Sequence, residues 1–225
     1  MQRGRRWIGK PLRPREDLRF VRGQGQYLDD LRLPGMLHLV VVRSPYPHAR
    51  IRRIHTEIAL RVPGVVRVLT AQDLEGTVGS YPLAEAEGLE VMPAPHPLLA
   101  TDRVRYVGEP VAAVVAESRA AAEDAAPLVE VEYDPLPAVV DPEAALSGTV
   151  RLHDHLPGNV LFRWHGRGGD VDGAFRRADR VVRQAFRIPR LAPVPMEVRG
   201  ALARYDAGAD LLTVWCSAQG THRPR

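Results

Sequence analysis

The stretch Thr101–Asp141, TDRVRYVGEPVAAVVAESRAAAEDAAPLVEVEYDPLPAVVD, constrains the fold more than any other part of the sequence. Val111 to Ala116 is a short uncharged apolar run between Pro110 and Glu117, and such a run reads as a strand buried on both faces. Each valine that becomes fully buried contributes roughly 1.5 kcal/mol, enough to outweigh the weak strand preference of the alanines between them. Ser118 offers an N-cap to the alanine-rich run Arg119–Leu128, where Ala121, Ala122, Ala125 and Leu128 fall at helical spacing and Pro127 marks the end. Val129, Val131 and Tyr133 then alternate with Glu130, Glu132 and Asp134, the period of a strand with one wet face. Strand, helix and strand so close together predict a βαβ-like unit whose three acids form a solvated face.

The other apolar segments are shorter. Met36–Arg43 and Ile51–His55 read as strands separated by the Pro45 and Pro47 bend, close enough to predict a hairpin. Glu57–Val62 predicts a short helix, Val65–Leu69 a strand and Ala71–Leu74 a helical turn, while Glu75–Leu99 has little periodicity and reads as a long surface loop. Val171, Ala174, Phe175 and Ala178 repeat at i, i+3, i+4 and i+7 behind Asp170, predicting a capped amphipathic helix. Strands are predicted over Arg180–Ile188, Gly200–Tyr205 and Leu211–Ser217. On the last, Leu212, Val214 and Cys216 share one face, so the sole cysteine is expected to be a small buried apolar residue.

Composition sets limits on partners and compartment. Most of the formal net charge of +4 comes from Arg3, Arg5, Arg6, Lys10, Arg13 and Arg15. No helical recognition element follows this basic arm, so nucleic-acid binding is not expected. One cysteine excludes an internal disulfide framework and a cysteine-ligated iron–sulfur cluster within these residues. No apolar run reaches the roughly 20 residues of a membrane span, and a cytoplasmic location is expected. Gly23-Gln24-Gly25 lacks the third glycine and the helix of a dinucleotide loop and reads as a turn. His48 has no acid or thiol nearby in sequence, and a structural role is expected for it. His153 and His155 could share one strand face, but no further metal ligand accompanies them, so a solvated loop is expected and no metal ligand is assigned.

Taken together, YLDDLRLPGMLHLVVVRSPYPHARI at 27–51, PGVVRVLTAQDL at 63–74 and RVRYVGEPVAAVVAESRAAAEDAAPLVEVEYDPLPAVVD at 103–141 closely resemble the N-terminal α/β hammerhead domain of the large subunit of the xanthine dehydrogenase, aldehyde oxidase and carbon monoxide dehydrogenase family. GDVDGAFRRADRVVRQAF at 169–186, PMEVRGALARYD at 195–206 and LLTVWCSAQGTHRPR at 211–225 resemble the start of that subunit's first molybdenum-cofactor-binding domain. The resemblance implies an α+β fold: an extended arm over 1–35, a hammerhead over 36–150 and the beginning of a mixed α/β molybdopterin-binding domain over 160–225. It implies a molybdenum-molybdopterin oxidoreductase that acts on an aldehyde, a purine-type heterocycle or carbon monoxide with water as the oxygen source. Partners implied are an FAD-binding medium subunit and a small subunit carrying 2Fe-2S clusters, assembled as a dimer of heterotrimers.

Gln219 in SAQGTH matches the family glutamine that hydrogen-bonds an oxygen ligand of molybdenum, and is the one cofactor-binding residue the resemblance assigns here. Val198 stands where the family commonly has proline, Ala218 where threonine is usual and Thr221 where proline is usual. In family order the glycine-rich pterin loop, the second cofactor-binding domain and the general-base glutamate come after Arg225. No catalytic residue is therefore assigned in these residues, Glu197 belonging to a different motif, and the isolated chain is expected to be inactive. The alternative is a non-catalytic hammerhead module that serves as an interaction scaffold.

Overall fold

The computed structural model describes residues 9–81, 88–166 and 168–218. They group into two compact units, Gly35–Val182 and Met1–Pro34 with Arg183–Arg225.

The arm is not wholly extended. It carries a five-residue helix, α1 (Asp17–Val21), and a 3-10 turn at Leu28–Asp30 closed by Asp30, whose carboxylate accepts the Tyr27 N–H at 2.9 Å. Between them Gly23 adopts φ 69°, the left-handed backbone that a turn here requires and that glycine supplies without strain.

The larger unit is built on two antiparallel three-stranded sheets. β1 (His38–Arg43), β2 (Ala49–His55) and β3 (Val65–Thr70) come first, and Thr70 and Asp73 then form a capping box on the helical turn α2 (Ala71–Leu74). β4 (Leu89–Val91) and β5 (Arg103–Val104) are short and lead into β6 (Pro110–Ala116). The helix α3 (Arg119–Ala125), a 3-10 turn at Ala126–Leu128 and β7 (Glu130–Pro135) follow. α4 (Pro142–Ser147), β8 (Phe162–Trp164) and α5 (Val171–Arg177) complete the unit.

One sheet has the order β1-β6-β3 and the other β5-β2-β7. β6 is central because it is apolar on both sides: Val111, Ala112, Val114 and Ala116 are fully buried. Val40, Val114 and Val68 lie in register across the first sheet. Ala122 and Ala125 of α3 pack on that same face, and the Ser118 hydroxyl caps the helix by accepting the Ala121 N–H at 3.1 Å. Val111 instead joins Ala49, Ala100 and Val104 in a second core that includes Ile51 and Tyr133 of the other sheet.

Two expected pairings are corrected by this topology. β6 and β7 belong to different sheets, so strand, helix and strand do not form a parallel βαβ crossover. β1 and β2 do not form a hairpin either, since β1 pairs with β6 and β2 with β7. The physical reason is the same in both cases. A two-faced apolar strand such as β6 needs apolar neighbours on both sides, whereas β7, apolar on one face only, matches the arginine-rich β2. There His55 Nε2 lies 2.7 Å from Glu132, and Arg52 pairs with Asp134. The acids of β7 are thus cross-strand partners as well as a solvated face.

The region expected to be a loop over Glu75–Leu99 contains β4, which pairs antiparallel with β8, and buries Ala94 and Leu99. In the smaller unit β9 (Ala201–Asp206) and β10 (Leu211–Cys216) form an antiparallel hairpin. The strand expected over Arg180–Ile188 does not form: those residues take no regular structure and are exposed, with no partner strand alongside them among the described residues. A lone strand leaves its backbone groups to water and gains no packing.

Candidate functional site

The hairpin β9–β10 ends just before the segment that carries the cofactor assignment. In its register Cys216 faces Ala201 and Trp215 faces Leu202, so the end of β10 lies beside the start of β9. The Ser217 hydroxyl donates to the Val198 carbonyl at 3.4 Å. Val198 and Ser217, 19 residues apart in sequence, are therefore neighbours in space. Gly200 fits this arrangement because a Cβ there would stand 2.7 Å from Leu28 Cδ2. Gln219 itself lies outside the described residues.

Cys216 is exposed, contrary to the burial expected of it, and so are Leu212 and Val214 on the same face. A two-stranded ribbon covers neither of its faces, so alternation along β10 alone could not indicate which face would be buried. Among the described residues of this stretch, Phe186, Ile188, Leu191, Val194 and Met196 are between 79% and 100% exposed. These side chains do not converge on a pocket with polar groups able to hold a pterin, and taken alone they do not fit such a cofactor.

The histidines singled out from sequence have structural partners. His48 is buried, and its Nδ1 lies 2.7 Å from the Pro137 carbonyl oxygen, while Nε2 has no hydrogen-bond partner. Asp154 accepts two hydrogen bonds from Arg103, at 2.9 and 3.3 Å, and His155 Nε2 lies 2.7 Å from the Pro93 carbonyl oxygen. The loop expected to be solvated is therefore anchored. No group of three metal-ligating side chains occurs among the described residues. Asp170 spends its charge on the first turn of α5, accepting the Gly173 N–H at 2.9 Å.

Two charges within the 103–141 stretch are buried, which nothing in the sequence alone marks. Arg103 is 8% exposed and Glu109 5% exposed, the latter accepting the Arg105 backbone N–H. The Arg103 guanidinium beside Asp154 is the main reason that carboxyl is held below its usual range.

Residues 22–137 match the profile of the aldehyde oxidase and xanthine dehydrogenase a/b hammerhead domain. The chain belongs to that family. Residues 152–225 match the molybdopterin cofactor-binding domain. Among members of the family, the nicotine 6-hydroxylase large subunit of Paenarthrobacter nicotinovorans is 46% identical over 96% of this chain and 26% of its own length. The carbon monoxide dehydrogenase large chain of Hydrogenophaga pseudoflava is 38% identical over 94% of this chain and 28% of its own. Quinoline 2-oxidoreductase from Pseudomonas putida 86 superposes with a TM-score of 0.82 at 41% identity, covering 94% of this chain and 27% of the solved one. The chain thus spans about a quarter of the length of these relatives and matches the N-terminal part of molybdenum hydroxylase large subunits. The hammerhead as a scaffold without chemistry is not favoured, because the cofactor-binding match follows it in family order. No helix among the described residues is long and apolar enough to cross a membrane.

Proposed function

We propose that this chain supplies the hammerhead and the first part of the cofactor-binding domain of a cytoplasmic molybdenum hydroxylase large subunit. The whole enzyme would oxidise an aldehyde, a purine-type heterocycle or carbon monoxide, taking its oxygen from water. When bound, the molybdenum-pterin group supplies the two-electron redox chemistry. An FAD-binding subunit and a 2Fe-2S subunit carry the electrons away, in a dimer of heterotrimers. The observation that carries this reading is the order of the two matches along the chain, with Val198 and Ser217 adjoining one another at the open end of a single hairpin.

Within this reading Gln219 faces the cofactor. A neutral amide donates a hydrogen bond without adding charge beside a redox centre, which a carboxylate could not do. The rest of the pocket is assigned to family segments other than the described residues, whose side chains do not enclose one. The direct test is Gln219→Ala in the assembled enzyme. Removing one preorganised donor should lower turnover by roughly a hundredfold while the molybdenum content stays unchanged; undiminished turnover would refute the assignment.

A further inference from the structure

The loop that contains His153 is tied to the rest of the larger unit by several polar contacts. Arg103 holds Asp154, Arg105 Nε donates to the Leu152 carbonyl at 3.0 Å, and His155 Nε2 meets the Pro93 carbonyl. Asn159 donates to the carbonyls of Ala145 and Val150 and accepts the Leu152 N–H. Leu156, 4% exposed, is the apolar anchor. This loop begins where the cofactor-binding match begins, at residue 152.

The charges around His153 are mostly positive. Its ring centroid is 5.7 Å from that of His155, and Arg105, Arg103 and His96 also act on it electrostatically. The acids nearby are already engaged: Asp154 by Arg103, Asp102 by Arg105 at 3.9 Å, and Glu109 by the Arg105 backbone. Arg151 acts on Asp154, and His96 is flanked by Tyr106, whose hydroxyl is 3.4 Å from Nε2, and by Tyr81. A proton on His153 would therefore enter a half-buried site with two guanidiniums and no free carboxylate.

We propose that residues 152–156 form a pH-dependent latch, docked through Asp154, His155 and Leu156 near neutral pH and released when His153 takes up a proton. Burial, and then the neighbouring cations, hold the docked imidazole below its ordinary value of 6.5. The open loop binds that proton more readily than the docked one, so docking is fully present above the ordinary value and weakens as pH falls through it. The carboxyl of Asp154 adds a second acid sensitivity at lower pH, since it too is held below its ordinary range.

Amide hydrogen exchange on the 225-residue chain tests this, corrected for the intrinsic pH dependence of exchange. The β6 peptide serves as an internal monitor of global folding. Between about pH 7.5 and about pH 5.5 the opening equilibrium of 152–156 should rise up to about tenfold, the limit for one proton with an open-state value near 6.5, while β6 stays protected. His153→Gln should abolish most of that rise, and His165→Gln, at an exposed histidine absent from the cluster, should preserve it. Direct titration of the His153 ring by NMR needs no variant and should give a value below the ordinary one. A flat exchange profile, an ordinary titration of His153, or an unchanged slope in a folded His153→Gln variant would each overturn the latch.

Discussion

Arg103 donates two hydrogen bonds to Asp154 across 51 residues of sequence, at 3.3 and 2.9 Å, with the arginine side chain only 9% exposed and the aspartate 71% exposed. The asymmetry matters energetically. Removing the exposed acid leaves a charge uncompensated in the interior, whereas removing an exposed acid from an exposed pair costs little. Asp154→Ala should lower the thermal midpoint more than Glu123→Ala, which breaks the Arg119–Glu123 pair on the surface of α3. Equal shifts in thermal denaturation would show that Arg103 has other support.

The same pair sets an acid limit. Its carboxyl is depressed below the ordinary value of 3.8, so the contribution is present above that value and is lost as pH falls through and below it. In a pH series of urea midpoints, Asp154→Asn should fall less steeply than wild type over that acid range.

At the start of α3 the Ser118 hydroxyl satisfies one otherwise unpaired helix N–H. Ser118→Ala should cost about 1 kcal/mol, and Ser118→Asp should recover most of it. Urea unfolding of both variants checks the claim, and a neutral Ser118→Ala would contradict it.

Burial separates two aliphatic residues of the first sheet. Val114 is fully buried between β1 and β3, whereas Leu39 is 56% exposed. Val114→Ala should cost roughly 2 kcal/mol through lost transfer energy and a residual cavity, and Leu39→Ala less than about 1 kcal/mol. The order of the two urea midpoints is the decisive readout.

Cys216 is exposed in the described structure. The native 225-residue chain should react with a thiol reagent at one equivalent without denaturant. Reaction only after unfolding would mean that its face of β10 is covered.

The pattern of success in the sequence reading follows from how far apart the determining residues lie. β6 and α3 were legible because their signals are contiguous: an uncharged run, a serine cap and an alanine-rich helix within sixteen residues. The pairing of β1 with β6 was not, because His38 and Ala116 meet only through the fold and the nearer β2 looked like the natural partner. Arg180–Ile188 has the valine, phenylalanine and isoleucine of a strand, yet such residues cannot hold a strand without a neighbour. Arg103 passed unnoticed because only its distant partner in the 152–156 loop shows that its charge is buried. At the candidate site, family resemblance picked out Gln219, while the adjacency of Ser217 and Val198 came only from the hairpin.

The most direct test of the account is the molybdenum content of the purified 225-residue chain, set against that of the assembled enzyme. The account predicts stoichiometric metal in the enzyme and essentially none in the chain alone, because the described side chains around the β9–β10 hairpin enclose no cofactor pocket. One molybdenum per isolated chain would contradict it.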